Sequence, residues 1–180
     1  WPGADVAHLL DGSLYLDRSL GTVDESELAS RIDRLIKYSA ETGAEGIIVT
    51  GSFFGEAAKQ ARQGMTIPVA TSFDGIIERA FDLDRALHVV ATAPDSATFL
   101  AAELQREATR RSVNLSITSG AVAGAMDGLI SGDADLHDRL VLEAVGDVDD
   151  ETAILFAQFS MERILPASAV AHTAPVIGPA

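Results

Sequence analysis

At 180 residues the chain can form one large domain or two small, intimately packed lobes. Its hydrophobic content of 47% and mean hydropathy of +0.19 call for a substantial core and exclude a disordered chain. The net charge of −14 disfavours nucleic acid and anionic membrane surfaces, and the absence of cysteine removes disulfides, thiolate metal sites and thiol nucleophiles together.

The first apolar run, Val6 to Leu10, is closed by Asp11-Gly12. The stretch "TVDESELASRIDRLIKYSAETG" predicts a helix. Asp24 or Ser26 can cap its start, Leu28, Ile32, Leu35 and Ile36 form its apolar stripe, and Gly43 follows its end. Ile47 to Val49 reads as a strand that stops on Gly51-Ser52, with a short helix over 55–63 beyond it. "IPVATS" (67–72) reads as a third strand, followed by a helix near 74–82. A fresh strand begins in "ALHVVATAPDSATF", and Pro94-Asp95-Ser96 signals the start of its helix. Asn114 to Thr118 is the next expected strand, with helices over about 121–131 and 135–146. Ala153 to Ala157 and Ala174 to Ile177 are the last expected strands.

Strands alternating with helices predict an α/β fold with parallel sheets covered on both faces. Such sheets place their chemistry at strand-to-helix corners, and "GIIVTGSFFGEAAKQAR" (46–62) contains one. "IIVTGSF" (47–53) is echoed by "ILFAQFS" (154–160), which pairs Gly51 with Gln158. Taken as a repeat, the echo predicts two related lobes whose strand ends face one cleft for a small ligand. The sequence opens on Trp1 and ends at Ala180 just after an apolar run, so both ends read as cut. Cytoplasm is the default compartment.

Several segments, in order, resemble the aspartate/glutamate/hydantoin racemase superfamily, which includes arylmalonate decarboxylase-like and maleate isomerase-like members. "AHLLDGSL" is similar to the family's early strand and loop, and "GAEGIIVTGSFFGEAAKQAR" to the stretch of its first catalytic cysteine. "IPVATSFDGIIERAF", "LHVVATAPDSATFL" and "GAVAGAMDGLISGDADLHDRL" resemble successive later segments. "AILFAQFSMERI", followed by "APVIGPA", resembles the stretch of the second cysteine. The resemblance implies two pseudosymmetric α/β lobes, each a parallel sheet flanked by helices, with the active site in the inter-lobe cleft. The expected bounds are 1–82 for the first lobe, 83–160 for the second and 161–180 for a return toward the first.

The family's racemases work without pyridoxal phosphate or metal, using two thiols on opposite faces of the substrate. Here Gly51 stands at the first thiol position and Gln158 at the second. The glycine resembles the decarboxylase branch, although that branch keeps the other thiol. Two-thiol racemisation is therefore excluded for this chain. The implied activity is cofactor-independent chemistry at the α-carbon of a small carboxylic or amino acid, as a racemase, isomerase or decarboxylase. A non-catalytic binder of small carboxylates on the same scaffold is the alternative. The expected partner is a small carboxylate ligand, with self-association open and neither nucleic acid nor membrane involved.

Ser52 suits carboxylate binding through its hydroxyl and nearby backbone N–H groups, or serves simply as a cap. Phe53 can wall a pocket or join the core. Gln158 donates and accepts hydrogen bonds but cannot titrate, so it can only orient a ligand. Ser160 reads as a helix cap or a ligand contact, and Asp11 as a cap, a solvated group or a ligand contact. Asp74, another carboxylate near a strand end, reads as a cap or a solvated group. His137-Asp138 lies inside a predicted helix, where neighbouring side chains are expected to point apart. His88 reads as a satisfied buried histidine, and His8 and His172 show no partner in the sequence. Metal-ligand spacing, phosphate loops and a nucleophile elbow are missing.

Overall fold

The structure, a computed structural model, describes residues 3–179. Trp1, Pro2 and Ala180, which bound the expected lobes, lie outside them. The described residues divide into two compact units, 3–49 with 54–71, and 50–53 with 72–179. The division falls at 71/72 instead of 82/83, because α4 (Asp74–Phe81) buries Ile76, Ile77 and Ala80 in the core of the second unit. Of the stretch 161–180, expected to return toward the first lobe, the described residues 161–179 group with the second unit.

In the first unit, α2 (Glu25–Glu41) forms as its sequence dictates. Asp24 caps it by accepting from the Glu27 N–H, and Gly43 follows its end at φ +96°. Leu28, Ile32 and Ile36 pack with Leu14, Ala58 and Val69 into one core cluster. That core covers a parallel pair, β1 (Ile47–Val49) and β2 (Val69–Thr71), joined through α3 (Gly55–Ala61). The apolar run at 6–10 is not the expected strand. It has no regular structure, and Val6, Leu9 and Leu10 are exposed. Asp11-Gly12 does not close a strand. Asp11 is the N-cap of α1 (Gly12–Leu20), a helix the sequence reading did not anticipate.

The second unit carries a four-stranded, all-parallel sheet in the order β4-β3-β5-β6. The strands are β3 (Leu87–Ala91), β4 (Ile117–Ala121), β5 (Ala153–Phe156) and β6 (Val176–Ile177). Side chains alternate along the central strands as the pleat requires. Leu87, Val89, Ala91, Ala153 and Leu155 face α4 and α5 (Pro94–Arg111). Val90, Ile154 and Phe156 face the other way, against Ala125 of α6 (Ala125–Ser131) and Val141 and Val145 of α7 (Ala134–Gly146).

β4 lies three residues later than expected at each end. "ITSGA" has weak strand propensity, but pairing from Leu87↔Ile117 to Ala91↔Ala121 fixes it, so tertiary context overrides the local signal. The helix expected from 121 consequently starts at Ala125, after Gly124 at φ +77°. Among the described residues no helix is long and apolar enough to cross a membrane.

Candidate functional site

After β3 the chain moves outward to β4 by way of α5, then returns to place β5 on the other side of β3. The segment after β3 leads to one face of the sheet. The segment after β5 enters the 3₁₀ turn Phe159–Ile164 on the opposite face. This reversal between adjacent strands is a topological switch point, where parallel α/β sheets leave a crevice outside the carboxyl ends of their strands.

Thr92, Ala93 and Gln158 line that point. The Gln158 Oε1 accepts from Thr92 N at 2.6 Å, Ala93 N at 3.1 Å and Thr92 Oγ1 at 3.1 Å. Backbone N–H groups can only donate, so the oxygen must face the turn and the side-chain NH₂ must face away from it. No described residue accepts from that NH₂. Two hydrogen-bond donors are therefore held in a fixed direction. Thr92 is itself buried, and Ala93, the N-cap of α5, supplies no side-chain cap.

The corner Gly51-Ser52-Phe53 belongs to the same unit and meets the same segment. Ser52 Oγ lies 3.1 Å from Oγ of Ser96, which is buried in the first turn of α5. Phe53 packs edge-on against Phe99, with ring centroids 6.0 Å apart and planes at 86°. Residues 92–99 thus touch both Ser52-Phe53 and Gln158. The sequence echo has a local counterpart in structure. Gly51 and Gln158 each stand between a parallel strand and a 3₁₀ turn, the first turn being Ser52–Phe54.

Ser160 does not cap. The turn Phe159–Ile164 starts at Gln158 with no side-chain cap bond, and Ser160 Oγ is buried without a partner. Asp11 lies in the first unit, apart from this grouping in the chain's division. It caps α1 and pairs with Arg31 at 2.8 Å, while Asp17 pairs with Arg31 at 2.6 Å. Hydrogen bonds from Ser13 and Arg31 hold the Asp11 carboxyl below its ordinary pKa.

The expectation that His137 and Asp138 point apart is overturned. His137 Nδ1 lies 2.8 Å from Asp138 Oδ1, because Nδ1 sits close to the backbone and the short Asp138 side chain reaches it from the next residue. His137 is fully buried, and Asp138 Oδ2 also pairs with Arg163 Nε at 3.1 Å. His88 is half-buried and bonds Thr118 Oγ1 through Nδ1 at 2.7 Å; burial pushes its pKa down. His172 is buried and bonds the Thr152 carbonyl through Nε2 at 2.8 Å. Among the described residues no group of three His, Asp or Glu is arranged to hold a metal ion.

Sequence reasoning missed Thr92 and Ser96. Thr92 carried a usable signal, a small polar residue just past the end of a buried parallel strand. Ser96 was visible only as part of a helix start.

No protein-family model matches the chain, and no curated protein matches it. Among solved structures it is similar to an allantoin racemase from Klebsiella pneumoniae, with a TM-score of 0.58 and 17% identity over 84% of this chain and 61% of that one. It is also similar to a glutamate racemase from Campylobacter jejuni subsp. jejuni, with a TM-score of 0.63 and 11% identity over 88% of this chain and 66% of that one. The chain spans less than two thirds of the length of either structure. At these identities the likeness is one of fold. The chain shares with these two racemases a mixed α/β fold of parallel sheets flanked by helices.

Proposed function

We propose that the second unit binds the carboxylate of a small organic acid at the β3–α5 turn and acts on its α-carbon. The observation that carries this reading is the orientation of Gln158. Its oxygen is held by three donors, so its NH₂ is presented as a donor pair. An acceptor with two oxygens complements such a pair, and the Ser52 hydroxyl, which meets Ser96 in the first turn of α5, offers another donor when Ser96 donates to it. The fold shared with an allantoin racemase and a glutamate racemase supports a racemase, isomerase or decarboxylase class of reaction. Cofactor-independent chemistry belongs to the same reading.

Removing a group from the α-carbon of a carboxylate builds negative charge on the carboxylate oxygens. Fixed donors stabilise that charge without reorganising during the reaction. Gln158 and Ser52 supply this term, while Gln158 cannot take up a proton. Replacing Ser52 by alanine should weaken binding of a small carboxylic acid by roughly 1.5–3 kcal/mol, the worth of one hydrogen bond to a charged group. Calorimetry measures this directly, and unchanged affinity would remove Ser52 from the site. Proton NMR in deuterated water then tests the reaction. Loss of the α-proton or of the carboxyl group from a bound acid supports an enzyme, whereas binding without either change leaves only a carboxylate-binding protein.

A further inference from the structure

The four-stranded sheet of the second unit ends in two edges of different character. β6 consists of Val176 and Ile177 alone and is followed by Gly178-Pro179, so that edge is short and blunted. β4 runs from Ile117 to Ala121 in an unbroken register with β3. It carries no proline, no charge and no bulge, the features that normally protect an edge strand. From Ser112 to Met126 the chain has no charged residue at all, although its net charge is −14.

The ladder fixes which backbone groups of β4 point outward. Leu87 N donates to Ser116 O at 2.9 Å, and Val122 N donates to Ala91 O at 2.8 Å. Strand backbone groups alternate in direction with a period of two, so Ser116, Thr118, Gly120 and Val122 turn theirs toward β3. The N–H and C=O groups of Ile117, Ser119 and Ala121 turn away from it. Among the described residues no strand lies beyond β4, and Ser119 and Ala121 are exposed. Besides water, the partner that satisfies such a row is another extended strand.

We propose that β4 is a dimer interface, pairing antiparallel with β4 of a second copy about a two-fold axis at Ser119. The edge is self-complementary in that register. Ser119 faces Ser119, and Ile117, the one large side chain of the strand, faces the small Ala121 on either side of the axis. All three are hydrogen-bonded pairs, because the same three residues turn outward in each copy. Charge favours the same contact. Two copies of equal sign repel, and an uncharged edge is where that repulsion is weakest. Arg110 and Arg111 precede the strand and Asp127 follows it, so antiparallel pairing directs the basic approach of one copy toward the acidic exit of the other. Val113 before the strand and Ile130 in α6 are exposed and add apolar area beside the ladder.

Sedimentation equilibrium over a range of concentrations tests the pairing, and a monomer–dimer equilibrium is expected. Ser119→Lys sets like charges opposite one another at the axis and should weaken the dimer roughly tenfold or more. Val170→Lys, at an exposed position on α8 (Leu165–Ala171), should leave it unchanged. Ser119→Pro removes an outward N–H that β3 does not use, and should give a folded monomer. If the proline variant does not fold, the lysine variant decides. Amide hydrogen exchange locates the contact. The amides of Ile117, Ser119 and Ala121 should slow as concentration rises, while those of Thr118 and Gly120 should be slow throughout. A monomer at every concentration up to about 1 mM gives the edge to a partner of another kind and overturns the dimer. A dimer that tolerates Ser119→Lys, or whose three outward amides stay fast, overturns β4 as its interface.

Discussion

Exchanging Gln158 for leucine should lower the stability of the chain by about 2–4 kcal/mol and remove carboxylate binding. Leucine fills a similar volume, so packing changes little, but Thr92 N, Ala93 N and Thr92 Oγ1 lose their common acceptor. Each donor left unsatisfied in a buried place costs about 1–3 kcal/mol, and the part-exposed setting of Gln158 keeps the sum below the full total. Gln158→Glu separates the two roles of this side chain. A carboxylate oxygen still accepts from the turn, so most of the stability should remain. The outward NH₂ is replaced by a second oxygen, which repels a ligand carboxylate. Urea denaturation and calorimetry on the two variants check both halves. A leucine variant as stable as the parent would mean that the turn does not depend on Gln158.

Phe156→Ala should cost roughly 3–5 kcal/mol, the range for truncating a large aromatic side chain in a closed core. Phe156 is 0% exposed and packs with Val90, Val141, Val145, Ile154 and Met161 between the sheet and α7. All of β5 is buried, as a central strand covered by helices on both faces must be. The loss should also reach the site, because Phe156 is only two residues from Gln158 and Met161 lies in the turn beyond it. Chemical denaturation followed by circular dichroism reads the stability change. A loss below about 1 kcal/mol would indicate a core loose enough to collapse around the missing ring.

The fold was legible wherever local signals agreed with one another. In α2 the cap, the apolar stripe and the glycine past the end all specify the same helix. In β3 and β5 the unbroken apolar runs specify buried parallel strands. Legibility failed where tertiary pairing decides. β4 has little strand character of its own and takes its register from β3. At 11–12 the same Asp-Gly pair can close a strand or open a helix, and only the helix follows here.

The site divides in the same way. Gly51, Ser52 and Gln158 stand out in the sequence as candidates because each lies where a strand runs into a polar corner. The segment from Thr92 to Phe99, which meets Ser52, Phe53 and Gln158, does not stand out, since its place depends on the strand order 4-3-5-6. The contact of His137 with Asp138 depends on the rotamers of adjacent side chains, which periodicity does not encode.

The Gln158 side-chain amide offers the most direct test of a carboxylate site at the β3–α5 turn. Its NH₂ protons can be followed by NMR while a small carboxylic acid is titrated in, with the matching primary amide as a neutral control. The expected result is a saturable shift of those protons, together with the backbone amides of Ser52 and Phe53, for the acid and a much weaker response to the amide. Saturable binding of the acid that leaves the Gln158 NH₂ unmoved would contradict it.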